Sequence, residues 1–159
     1  MKPGRGSSKR QEHRSDVAEV RSVRAHPPAL ITEWGKPLGL PQCPYVYRWR
    51  FECRLGSVRV HHWIAQDDPR AFHDHPWWFV TFVVKGGYTD RNPGGDDHLR
   101  APAVRYREAL HRHTVVPDPG GAWTVLITGP RSRVWGFWEG GKFRKHRRWF
   151  ESKGHHPCD

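Results

Sequence analysis

The chain has 159 residues, with 27 Lys and Arg against 16 Asp and Glu, a formal net charge of +11, and three scattered cysteines. That length fits one domain with its own core, so no disulfide staple is required, and the absence of any CxxC pair speaks against a structural zinc knuckle. No apolar run approaches the roughly 20 residues of a membrane-spanning helix, and the basic N-terminus lacks the hydrophobic stretch of a signal peptide, so a reducing cytoplasm is the expected compartment.

Residues 1–28 are rich in Gly, Ser, Arg and Lys. They bury too little apolar area to offset ordering, which predicts a flexible basic tail, disordered or loosely helical over Ser15 to Arg24. From Tyr45 onward the pattern is β. Tyr45 to Phe51 alternates aromatic and polar residues, Gly56-Ser57 turns the chain, and Val58 to Ile64 reads as the next strand. Gln66 to Pro69 has loop chemistry. Phe72 to Val84 then carries two histidines into a long apolar strand, ended by a turn at Gly86-Gly87. A polar loop over Asn92 to Asp97 is followed by strands over Val104–Tyr106 and His111–Val116. A turn over Pro117–Gly121, an apolar strand over Ala122–Thr128, and a last strand over Arg133–Trp138 complete the barrel. The division is therefore a tail (1–28), a barrel (29–152) and a flexible C-terminal tail (153–159). Many short strands with Gly/Pro-rich turns predict an all-β sandwich or closed jelly roll.

Side chains alternate across a strand, so His73 and His75 share a face and can share a metal ion. His111 and His113 share a face by the same rule. One can ligate while the other orients or shuttles a proton. Of His61 and His62 only one can face inward. Asp74 points away from the histidines, toward a supporting role or a surface ion pair with Arg70. Lys142 to Arg148, interleaved with Phe143 and Trp149, reads either as a nucleic-acid patch or as a solvated terminal element whose aromatics pack onto the barrel.

The pieces Arg70-Ala71-Phe72-His73-Asp74-His75-Pro76-Trp77, Gly86-Gly87-Tyr88, His111-Arg112, Trp123 to Pro130 and Trp135-Gly136-Phe137 resemble the cupin superfamily. They are similar in particular to a cupin-like group of bacteria and phages with no known reaction. The resemblance covers about Tyr45 to Phe150 and implies a double-stranded β-helix, the cupin jelly-roll barrel. It implies a divalent metal on His73, His75 and His111, with Fe(II) first and Zn, Mn or Ni next. The position of the usual glutamate ligand falls on Phe79, which cannot ligate, leaving a three-histidine site of the thiol dioxygenase kind or a site completed by another residue, for which His61 is the candidate.

On that reading Tyr88, His61 and His113 are the candidates for proton transfer or orientation. Trp77, Phe79, Thr81, Arg112, Trp123 and Trp135 are the candidates for a pocket holding a small-molecule substrate. The implied activity is oxygenation, with isomerase or lyase chemistry second. The alternative is a non-catalytic ligand- or metal-binding module, or a phage accessory protein contacting nucleic acid or protein through its basic tails. A homodimer follows by analogy.

Overall fold

The computed structural model describes residues 30–154. The expected N-terminal tail over 1–28, with its helix at 15–24, and residues 155–159 of the C-terminal tail lie outside the described residues. Ten strands and one short helix follow in order: β1 (Leu30–Leu40), β2 (Cys43–Cys53), β3 (Gly56–Trp63), β4 (Phe72–His73), β5 (Phe79–Asn92), β6 (Gly95–Arg100), β7 (Ala103–Arg107), β8 (Thr114–Thr128), β9 (Gly136–Glu139), β10 (Lys142–Lys145) and α1 (His146–Lys153). The expected all-β fold is thus what the chain adopts. One antiparallel sheet runs β1-β2-β3-β8-β5-β6 with β7 beside β5, and a second runs β10-β9-β4.

Period-two alternation sets the faces of the large sheet. On β3, Ser57, Arg59 and His61 are buried while Val58, Val60 and His62 turn outward. On β8, Thr124, Leu126 and Thr128 are buried and Trp123, Val125 and Ile127 face out; on β5, Phe79, Thr81 and Val83 are buried. The register aligns these sets, pairing Ser57 with Thr128 and Thr128 with Phe79 on one face, and Val60 with Val125 and Val125 with Phe82 on the other. The interior is therefore unusually polar and the outer face unusually apolar. A buried polar layer is the informative departure, because such groups are costly inside without a use.

Several expected boundaries move. The single strand expected over Phe72 to Val84 is broken into β4 and β5, because Pro76 cannot donate to a ladder. The chain does not turn at Gly86-Gly87. β5 continues to Asn92 through a bulge, since Gly86 takes φ 71° and lies where a Cβ would stand 2.0 Å from the Gly121 carbonyl oxygen. Pro117 to Gly121 likewise lies within β8, opposite that bulge, rather than in a turn. His111 precedes β8, which starts at Thr114, and His113 joins the second sheet as an isolated bridge to His73. β9 starts only at Gly136. β1 was not anticipated, since its glycines and Pro37 obscure alternation; Glu33 fastens it to Arg48 and Arg50 of β2.

Candidate metal centre

Three short pieces of backbone bring three imidazoles together. β4 supplies His73, the irregular stretch before β5 supplies His75, and the residue before β8 supplies His113. His73 and His113 exchange backbone hydrogen bonds in both directions at 2.9 Å, and the His75 N–H donates to the Ala109 carbonyl at 3.1 Å. Ring centroids lie 5.0 Å apart for His73 and His75, 4.8 Å for His73 and His113, and 5.1 Å for His75 and His113. One nitrogen from each ring falls within 4.8 Å of the others.

Carboxylates fix which nitrogens face inward. His73 Nδ1 lies 3.1 Å from Asp67 Oδ2, and His113 Nδ1 lies 3.0 Å from Asp90 Oδ2. Each imidazole donates its Nδ1–H there and keeps the Nε2 lone pair free, the arrangement that orients metal-ligating histidines. His75 Nε2 and His113 Nε2 are 2.9 Å apart. Two nitrogens about 2.1 Å from one ion, at right angles about it, stand about 3 Å apart. The donor set therefore fits a divalent metal, and imidazole suits Fe, Zn, Cu and Ni alike.

The surroundings favour neutral rings. Burial pushes His75 well below its ordinary value, with His73 and His113 adding to the effect. Burial also lowers His73, against the opposing pull of Asp67. Aromatic walls exclude water: Trp77 stacks on His75 at 4.8 Å, Phe79 meets it edge-on at 4.6 Å, and Phe137 and Trp135 flank His73 at 6.1 and 6.5 Å.

His111 was expected as the third ligand; the ring that clusters with His73 and His75 is that of His113. His111 lies in the turn before the bridge, outside the strand that would have aimed it inward, and its Nε2 bonds Asp90 Oδ1 at 3.0 Å. Asp90 is 1% exposed and also accepts from Arg107 Nε at 3.2 Å. Burial works to raise its pKa, but the bonds from His111 and His113 prevail and hold it far below the usual carboxylate range. Asp90, His111 and His113 also lie within ligand distance of one another. With His111, His113 and the Arg107 guanidinium as its three donors, Asp90 is better suited to a hydrogen-bond hub than to holding a cation.

The other expected residues divide. Trp77, Phe79 and Trp135 adjoin the rings, while Thr81 lines the interior of β5. Trp123 does not reach the interior: alternation turns it to the outer face, stacked on His62 at 4.2 Å and Trp49 at 5.7 Å. Arg112 lies 3.5 Å over Trp138 in a groove of about 440 Å³ whose lining contains none of the three histidines. Tyr88 packs into the core with Val83, Leu99, Val115 and Ala122, and burial raises its phenol above the ordinary value. His61 points inward beside Trp63. Asp74 is fully buried and pairs with Arg133 rather than Arg70: it accepts from the Gly136 N–H at 2.8 Å, Trp138 Nε1 at 2.9 Å and Arg133 at 2.8 Å. Arg70 pairs instead with Asp68. In the basic C-terminal stretch, Trp149 is fully buried and stacked on Phe137, so its ring is spent on packing.

Sequence reasoning missed Asp67, Asp90, Arg59 and Arg107. Asp90 was findable: continuing the alternation Phe79, Thr81, Val83 past the bulge puts Tyr88 and Asp90 on the same inner face. Asp67 was read only as loop chemistry, and nothing local marks it as a partner of His73.

No protein-family model matches the chain, and no curated protein matches it. Solved structures do. An RmlC-like cupin from Shewanella frigidimarina shares 14% identity over 63% of this chain and 89% of that one, with a TM-score of 0.48. KdgF from Halomonas shares 14% over 59% and 89%, with a TM-score of 0.46. The DMSP lyase DddQ from Ruegeria pomeroyi shares 17% over 67% and 58%, with a TM-score of 0.47. The chain spans about half, 47%, of the length of another DMSP lyase structure. Identities this low concern strand arrangement and leave the chemistry to the side chains. Among the described residues no helix is long and apolar enough to cross a membrane.

Proposed function

We propose that this chain is a cupin-like metal protein, with His73, His75 and His113 as ligands, acting on a small molecule inside the barrel. The observation that carries the reading is convergence of three buried imidazoles, two of them oriented by carboxylates on their outer nitrogens. A bound divalent ion would supply Lewis-acid or redox chemistry at open coordination positions. Fe(II)-dependent oxygenation is the first sub-class and isomerisation or elimination the second.

The chain's own residues would do the rest. Asp67 and Asp90 hold two ligand rings in one tautomer. Trp77, Phe79 and Phe137 exclude water and strengthen every electrostatic contact inside. His111, half-buried and bonded to Asp90, offers a route for a proton between the surface and His113. Phe79, packed on His75 where a fourth ligand would be expected, favours a three-histidine centre.

The test is metal content of the full chain carrying His155→Ala and His156→Ala, which removes a terminal histidine pair that would catch metal on its own. His73→Ala, His75→Ala and His113→Ala in that background are expected to lose nearly all bound metal by elemental analysis, while His111→Ala keeps most of it. Unchanged metal in His113→Ala would overturn the assignment. A well-bound metal with no turnover of any small molecule would favour the non-catalytic module.

A further inference from the structure

Three arginines line the inner face of β2 and β3, and two of them have carboxylate partners. Arg48 bonds Glu33 at 3.0 Å, and Arg50 bonds Thr32 at 2.7 Å and lies 3.6 Å from Glu52. Arg59 is the most buried of the three, at 8% exposure, and its Nε donates to Ser57 Oγ at 2.9 Å. Among the described residues no carboxylate lies within ion-pair distance of it. Burial pulls its guanidinium down to about 9, which leaves it charged at neutral pH. An interior cation without a counter-ion is expensive for a fold to keep.

Two residues along β3 the same face carries His61, 8% exposed, with neither ring nitrogen bonded among the described residues. Burial first, and then the neighbouring Arg48 and Arg59, lower it to about 3, so it is a neutral donor and acceptor. The His61 ring packs edge-on against Trp63, but no hydrogen bond among the described residues uses its nitrogens or the free edge of the Arg59 fork. Their position is pointed. The Arg59 guanidinium lies 4.4 Å from the Trp77 ring, which also stacks on His75 at 4.8 Å and meets Phe79 edge-on at 5.8 Å. One indole separates the unpaired cation from the metal centre.

We propose that Arg59 and His61 are the recognition end of the barrel interior and take the carboxylate of a small organic acid, whose remainder faces His73, His75 and His113. The substrate assignment rests on the metal reading above, whereas carboxylate binding does not. Glu33 and Glu52 offset Arg48 and Arg50, and His61 is neutral, so the β2/β3 end of the interior presents one uncompensated positive charge. A planar fork with one charge matches two oxygens of a carboxylate; a phosphate dianion would leave a charge unmet.

The experiment uses the full-length protein, stripped with phenanthroline rather than a carboxylate chelator, with acetate as probe and inorganic phosphate as its rival at equal ionic strength. Calorimetry should show acetate binding to the parent, weakened at least tenfold in Arg59→Met and less in Arg59→Lys. Without acetate, Arg59→Met should melt at or above the parent temperature, because it removes a buried unpaired charge, and acetate should raise the parent's Tm only. No acetate binding by the parent, equal binding by Arg59→Met, or a lower melting temperature for Arg59→Met without acetate would each overturn the proposal. Tighter binding of phosphate than of acetate would overturn the carboxylate assignment. Failure of the metal reading shows separately, as an unstripped parent that carries no stoichiometric metal while its acetate binding is unchanged.

Discussion

Replacing Asp90 by Asn would separate a hub that organises the centre from one that merely fills space. The carboxylate receives His111, His113 and Arg107 in a site 1% exposed. The amide keeps one acceptor oxygen, but its NH2 meets a donor and the counter-charge to Arg107 is gone. Breaking a buried ion pair costs about 3–5 kcal/mol. Arg107 keeps Asp97 at 2.6 Å, which places the loss near the lower end, about 3 kcal/mol. At roughly 2–4 °C per kcal/mol for a chain of this size, Tm should fall by about 6–12 °C. His113 also loses the partner that fixes its tautomer, so metal affinity should drop about 10–100-fold. Thermal unfolding followed by circular dichroism and a competition titration against a chromophoric chelator measure the two effects. The folded carboxylate is depressed, so its contribution is complete above the ordinary carboxylate range and is lost as pH falls through the folded value. The variant should therefore lose that part of the acid-limb slope. Asp97→Asn, at a half-buried site, serves as the control with unchanged metal affinity. A Tm within about 2 °C of the parent, or unaltered metal affinity in Asp90→Asn, would refute the hub argument.

Asp74→Ala strands the Gly136 N–H, the Trp138 indole and Arg133, and is expected to cost about 3–5 kcal/mol in denaturant titration; a loss under about 1 kcal/mol would contradict that role. Burial depresses His61 and His75 in the fold. The unfolded chain therefore binds more protons below pH 6.5, and metal-free protein should lose roughly 2–3 kcal/mol per pH unit as pH falls below that value. A flat stability profile between pH 6.5 and 5 would rule this out. The outer face predicts a dimer with a second copy: Phe51, Val58, Val84, Val104, Tyr106 and Ile127 are 42–59% exposed, on the order of 600 Å² of uncharged surface against the roughly 800 Å² each partner gives a standard interface. Light scattering should report twice the chain mass, and Val104→Glu with Val84→Glu should halve it; a monomeric parent at high concentration would exclude that face.

Alternation made much of this fold legible. Val58 to Ile64 and Ala122 to Thr128 read as strands because period-two patterning survives in both. The His73/His75 pair was legible too, though for a faulty reason. The two residues were expected on one continuous strand, whereas Pro76 ends the ladder and the rings meet through the bend that follows. Position 113 was harder. Sequence spacing cannot tell which of two histidines two residues apart occupies a bridge, because that depends on where β4 docks 40 residues earlier. Arg59 and Asp90 escaped notice because inward-facing charge on a strand looks like outward-facing charge until the register of three neighbouring strands is known.

The reciprocal backbone pair between His73 and His113 has a mechanical meaning. It stitches the small sheet to the large one at the residues that carry two of the three rings. The centre cannot open by fraying of one edge, because parting those rings means parting the sheets. Amide protons at these two positions should consequently exchange only when the whole molecule unfolds.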